Sequence, residues 1–319
     1  MATRSRRITF DVNKSELNKE SVDLLKKYKS HMTIKELSEK TIYNYECDLY
    51  AWFSYIKIFQ NNKSVLEIDE DDLSEYFYYR KTNGNNSRRM RGVMASISAF
   101  YIHLKKKRIH RENPMDFIDR PRKDTSVVVQ TFLTQEQVDQ MIEKLIVLGD
   151  LRLQTYICLG LSTMARVNAL RNIKWDQVDF DENVIREVKE KEGYIVDLDF
   201  DDYTKELLLQ LRKKHQNDNV NCEFVFAAYH NGVWKVPTSS TCNDWCKKAG
   251  NLIGVPTLHN HDLRHSAATI AKSNGANLED VSRMLNHKST DVTLKHYIKE
   301  DNSKLKEAKK KFGALRNMS

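Results

Sequence analysis

Between His261 and Tyr297 the chain reads HDLRHSAATIAKSNGANLEDVSRMLNHKSTDVTLKHY, and this stretch leaves little freedom in what can be built around it. His261, Arg264 and His265 are spaced by three and four residues, so a helix start would bring them near one face. An alanine-rich apolar run follows, and Gly275 supplies a helix stop. Leu278 to Leu285 predicts a second amphipathic segment ending at Asn286–His287, and Asp291 to Ile298 a third that delivers Tyr297. Two cationic or basic side-chain types and a phenol are thus carried on three short helical pieces joined by tight turns. A fold that brings the pieces together gathers them into one site.

A phenol is a weak nucleophile at neutral pH, being only roughly 0.1% ionised there. Surrounding cations and a base make it useful, and those cations suit an anionic electrophile such as a phosphodiester. The stretch resembles the catalytic core of the tyrosine recombinases, the phage integrase and Xer-type family. The family pattern H-x-L-R-H is matched by His261-Asp262-Leu263-Arg264-His265. Its L-G-H is matched by Leu285-Asn286-His287, except that Asn286 replaces the glycine. Tyr297 follows His287 by ten residues, a spacing the family uses. Upstream, Ser162-Thr163-Met164-Ala165-Arg166-Val167-Asn168-Ala169-Leu170, followed by Trp175-Asp176, is similar to the family's T-G-x-R-x-x-E-L segment. Met164 replaces the glycine there and Ala169 the glutamate.

Asn183 to Lys189 and Tyr194 to Phe200 predict a β-hairpin turning near Gly193. The family carries a catalytic lysine on such a hairpin, before a V-P-L strand that Val196-Asp197-Leu198 resembles. Lys189 is the favoured counterpart, with Lys191 the competitor. The resemblance covers about residues 30 to 300 and implies roles for the set. Arg166 and Arg264 would clamp the scissile phosphate, with a hydrogen bond added by His287. His261 would be base or proton partner to the nucleophile Tyr297, and Lys189 would protonate the departing 5′ oxygen. His265 is expected to pack behind the site. Neither a metal nor a nucleotide cofactor is expected, because a phosphotyrosine adduct keeps the bond energy for rejoining. The implied function is site-specific recombination through a 3′-phosphotyrosine and a Holliday junction. The partners would be a double-stranded DNA site and a homo-tetramer on synapsed sites. A type IB topoisomerase-like relaxing enzyme and a DNA-binding protein without catalysis are the alternatives.

Charge points to where DNA would be held. The 319 residues carry a formal charge of +8, yet residues 1–130 hold 25 Lys/Arg against 18 Asp/Glu and the rest 27 against 26. From Tyr76 to Arg111 there is no acidic residue. Arg88, Arg89, Arg91, Lys105, Lys106 and Arg108 fall in that segment as candidate DNA contacts. Arg88, Ala95, Ala99 and Lys106 lie opposite the apolar stripe Met90, Val93, Met94, Ile97, Tyr101, Leu104, a face that could approach a phosphate backbone.

The expected fold is mainly α with a small β-sheet. A basic arm (1–14) precedes a helical core-binding domain (15–124), a mixed, mostly helical catalytic domain (125–300) and a C-terminal helix (301–319), for which the resemblance implies docking on a neighbouring protomer and whose pattern equally suits packing on its own domain. In the front domain, Ile42, Tyr45, Leu49, Trp52, Phe53 and Ile56 mark a helix capped by Ser38, and Asp72 to Tyr79 a shorter one stopped near Gly84. Five cysteines, an odd number, no apolar leader at Met1 to Phe10 and no long apolar run predict a reduced, cytoplasmic protein. Cys242 and Cys246 are read as structural thiols.

Overall fold

The computed structural model describes residues 8–122, 132–190 and 193–286, which fall into two compact units divided between residues 129 and 130. Among its described residues the front unit has helices and no strand, the longest being α1 (Lys19–Ile34), α2 (Glu39–Phe59), α3 (Glu70–Thr82) and α4 (Ser87–Lys106). Ser38 caps α2 by accepting from the Thr41 amide. The third helix is longer than the expected Asp72–Tyr79: a capping box between Asp69 and Asp72 starts it two residues earlier, and it runs three residues further, to Thr82. The apolar stripes meet in a core where Trp52, Tyr76, Phe100 and Tyr101 are fully buried. Each such side chain contributes on the order of 1.5–3 kcal/mol through burial. Arg80 is buried among them and donates to the Tyr76 hydroxyl and Asn85 Oδ1, at 2.6 and 2.9 Å.

The second unit opens with α5 (Gln135–Leu148), started by a Thr134–Gln137 capping box, and the apolar α6 (Leu151–Thr163). A short α7 (Val167–Arg171) leads into an antiparallel three-stranded sheet of order β1 (Val178–Asp179), β2 (Val184–Lys189), β3 (Ile195–Asp199). The β2–β3 pair is the expected hairpin, with Gly193 at φ 79° in its turn. Helix α8 (Asp202–Asn217) packs on α6. A second hairpin, β4 (Ala228–His230) with β5 (Val233–Lys235), was not expected. Its two-residue Asn231-Gly232 loop has φ 52° and 80°, the positive pair that a tight hairpin turn requires. Helices α9 (Ser239–Leu252), α10 (Asn260–Ser273) and α11 (Leu278–Met284) close the unit. Its core joins Leu145, Tyr156, Ile157, Ile185, Phe226 and Leu263. Cys242 and Cys246 are buried in that core on α9 as free thiols. Among the described residues no helix is long and apolar enough to cross a membrane.

Candidate functional site

Helix α10 starts where His259 and Asp262 close a capping box: the Asp262 carboxylate accepts the His259 amide at 3.0 Å and lies 2.6 Å from its imidazole Nδ1. This fixes the first turn and therefore the direction of the three residues spaced along it. His261 faces outward with an exposed edge, while Arg264 and His265 are each only 1% exposed. The His265 ring stands edge-on to His261, with centroids 4.1 Å apart, and buttresses it from behind as expected.

Arg264 is the hinge pin of the site. Its Nη1 donates to the Met164 carbonyl at 2.6 Å and its Nη2 to the Leu285 carbonyl. The guanidinium therefore ties the end of α6 to the end of α11. Both joints involve positions where the sequence departs from the family's glycine. Met164 has φ 51° and Asn286 has φ 48°, so each sits in the left-handed region that glycine adopts most easily. Asparagine tolerates that conformation through its short polar side chain. Methionine does not, and the strain of about 1–2 kcal/mol is offset by packing. Its side chain enters a small core with Ala267, Ala268, Val281 and Leu285, gaining about as much through burial.

Arg166 follows this joint. It does not close the apolar helix. Instead Met164 ends α6, and Arg166 is the extended residue that precedes α7. It leans into a cleft of about 320 Å³ lined by Arg166, Ala169, Lys189, Glu190, Asn260, His261 and Arg264 among others. Four residues picked from three separate stretches of sequence, Arg166, Lys189, His261 and Arg264, are thus brought together. Lys189 is the last residue of β2, paired with Ile195, and is exposed. His287, Tyr297 and the alternative lysine, Lys191, lie outside the described residues, as do the expected C-terminal helix and residues 1–7 of the arm.

Sequence reasoning missed Glu190. Its side chain is only 4% exposed, it accepts a hydrogen bond from Arg166 Nη1, and its other oxygen lies 4.0 Å from Arg264 Nη1. One carboxylate therefore spans both guanidiniums. The signal was the Lys-Glu-Lys-Glu run at the hairpin turn, in which only the lysines were weighed.

The electrostatics of the cleft act on His261. Desolvation lowers its pKa below the ordinary histidine value, and the charges of Arg264 and Arg166 push the same way, against the opposing pull of Asp262. At neutral pH the imidazole is therefore uncharged and able to accept a proton. No cluster of three metal-ligating side chains occurs among the described residues.

In the front unit the candidate DNA contacts separate into two kinds. Arg88, Lys105, Lys106 and Arg108 are exposed. Arg89 is committed to Asp48, which is 3% exposed and also accepts from Ser96 Oγ at 2.9 Å. Arg91 donates to the Pro121 carbonyl at 2.7 Å. The acid-free segment from Tyr76 to Arg111 hid this pairing, because the carboxylate comes from α2. The outer stripe of α4 runs Arg88, Gly92, Ala95, Ala99, Ile102, Lys106, with the alanines half-buried and Ile102 exposed.

Residues 131–304 match the model of the phage integrase family, and residues 25–108 that of the phage integrase N-terminal SAM-like domain. Tyrosine recombinase XerC of Pediococcus pentosaceus is 25% identical over 307 residues, covering 91% of this chain and 98% of the relative. Tyrosine recombinase XerD of Listeria innocua is 27% identical over 298 residues, covering 87% and 94%. Among solved structures, the XerH site-specific recombinase bound to a palindromic difH substrate aligns with a TM-score of 0.68 at 18% identity, covering 90% of this chain and 83% of that one. The Tn1549 transposon integrase in complex with transposon right end DNA aligns at 0.67 and 17% identity, covering 92% and 100%. These structural likenesses establish the fold.

Proposed function

The chain belongs to the phage integrase family, the tyrosine recombinases, and from that premise we propose that it is a site-specific DNA recombinase acting through Tyr297. The observation that carries the reading is the anion position shared by Arg166 and Arg264. A carboxylate already spans the two guanidiniums, so a phosphodiester oxygen pair can be held there by the same donors. In the proposed reaction the phenol oxygen of Tyr297 bonds to phosphorus and the bond from phosphorus to the 5′ oxygen breaks. Neutral His261 accepts the phenol proton, and Lys189 gives a proton to the leaving 5′ oxygen. Arg166, Arg264 and His287 stabilise the charge that develops on the non-bridging oxygens, where one preorganised donor is typically worth about 10²–10³ in rate. The adduct is a 3′-phosphotyrosine with a free 5′-hydroxyl, and attack by a second 5′-hydroxyl reverses the step without a nucleotide or metal cofactor.

The relatives and structural neighbours are recombinases, several of them bound to their DNA sites. By extension, residues 15–124 and 125–300 both contact the duplex, with the exposed α4 cations on its phosphates. Four protomers then exchange strands at paired sites through a Holliday junction, in the cytoplasm where the DNA lies. A nicked duplex carrying the target site tests this directly. The wild-type chain is expected to form a covalent protein–DNA adduct that Tyr297→Phe cannot form. Efficient adducts on random sequence indicate a relaxing topoisomerase instead, and no adduct on any DNA an inactive binder.

A further inference from the structure

We propose that Glu190 occupies the phosphate seat when DNA is absent, and that the scissile phosphate must displace it before cleavage. This deepens the proposed function and rests on it for the identity of the incoming anion.

Three observations converge. Glu190 is nearly buried, yet it belongs to no apolar core and sits at the end of β2, where its amide donates to the Tyr194 carbonyl at 2.7 Å. Its carboxylate is placed between the two guanidiniums, hydrogen-bonded to Arg166 and 4.0 Å from Arg264. The oxygen facing Arg264 is buried without a hydrogen-bond partner. A carboxylate satisfied on one side only is held less firmly than a fully paired one, because a buried acceptor left without a donor costs about 1–3 kcal/mol. A phosphodiester can use both guanidiniums at hydrogen-bond distance where Glu190 uses one.

Charge explains why an occupant is needed. Arg264 is fully buried, and the Met164 and Leu285 carbonyls that accept from it carry no formal charge. A buried guanidinium is stabilised by an anion close by. Glu190 supplies that anion in the free protein and the DNA supplies it in the complex. Both cannot remain, because two anions on one seat repel at short range. Lys189 precedes Glu190 directly and lines the same cleft, so the proposed general acid stands next to the seat the phosphate would take.

Inorganic phosphate is a probe that needs neither the target site nor catalysis. Calorimetry on the full chain should find weak phosphate binding for wild type and tighter binding for Glu190→Gln, by on the order of tenfold or more. Arg166→Ala added to Glu190→Gln should remove the gain. On a nicked site, Glu190→Gln should form the Tyr297 adduct faster than wild type in a single turnover. Glu190→Ala repeats both measurements should the glutamine variant fail to fold. Equal or weaker phosphate binding by both variants overturns the proposal. So does slower cleavage restored by adding Ala169→Glu, which would make Glu190 a positioning residue for Arg166. Tightened phosphate binding with no adduct on any DNA would leave Glu190 in its assigned place while refuting the recombinase reading.

Discussion

The guanidinium of Arg264 donates to the carbonyl of Met164, a residue held at φ 51°, so the left-handed joint before Arg166 and the arginine on α10 fix one another. Neither is positioned by its own helix alone. The second donation, to Leu285, extends the same bracket to the joint before His287. The consequence is that one fully buried side chain sets the placement of residues from three stretches of sequence.

Arg264→Lys should therefore fail although it keeps the charge. An ammonium cannot hold two carbonyls in a planar fork and face an anion as well. Cleavage is expected to fall by at least about 10²-fold. Thermal unfolding should shift downward, because the ammonium cannot reach both buried carbonyls and leaves one without its donor, a loss of about 1–3 kcal/mol. A variant with wild-type cleavage would show that the fork is not needed.

The cations of α4 should separate under mutation as they separate in space. Arg88→Ala with Lys106→Ala is expected to leave stability unchanged, since both are exposed. The slope of log affinity for duplex DNA against log salt should drop by about 0.9 for each phosphate no longer neutralised. Arg89→Ala should behave in the opposite way. It strands the buried Asp48 with a serine hydroxyl, costing about 1–3 kcal/mol in urea unfolding while changing the salt slope less. The reverse assignment of the two effects would refute the division.

Proton binding at His261 gives a signed expectation. Its folded pKa lies below the ordinary value of 6.5, so between the two values the unfolded chain binds the extra proton. Stability from this group is complete above about pH 6.5 and declines as the pH falls toward the folded value. Adduct formation should hold its rate down through pH 6.5 and decline only below it, where the imidazole loses its capacity to accept. An NMR titration of the imidazole Cε1 proton with a midpoint at or above 6.5 would contradict this.

How far these features could be read from the sequence depends on the range of the interactions involved. Helices α2, α4 and α10 were visible because their apolar spacing and caps are local: Ser38 before α2 is an example. Arg166, Lys189, His261 and Arg264 were found by resemblance and then met in one cleft. The β4–β5 hairpin was overlooked because each strand is only three residues long, although Asn231-Gly232 is a strong turn signal. Asp48 with Arg89 and Glu190 with Arg264 could not be seen at all, being pairs 41 and 74 residues apart in sequence whose burial depends on tertiary packing. Met164 looked like a defect in a glycine position, and its compensation by Val281 and Leu285 lies more than a hundred residues downstream.

Gly250 links the stability of the fold to the placement of His261. It lies near the end of α9, and its carbonyl accepts the Val255 amide at 2.8 Å as the chain turns back. A Cβ at this position would lie 2.2 Å from the Val255 carbonyl oxygen and 2.7 Å from Leu258 Cβ. Neither can yield easily: one is backbone, and Leu258 is fully buried two residues ahead of α10. Gly250→Ala gains about 1 kcal/mol in helix propensity but forces overpacking that typically costs about 1–3 kcal/mol; because the clash is with backbone the upper end applies, and a net loss of up to about 2 kcal/mol is expected. In a unit of this size that lowers the melting temperature by about 4–8 °C. The displaced Leu258 should also shift the first turn of α10 and slow adduct formation. Gly254→Ala is the control: its φ of 75° carries strain, but nothing lies within 4 Å of the added Cβ. It should cost only about 1–2 kcal/mol in backbone conformation and leave the cleavage rate unchanged. Equal effects of the two alanines on cleavage would show that the contact with Leu258 does not govern the start of α10.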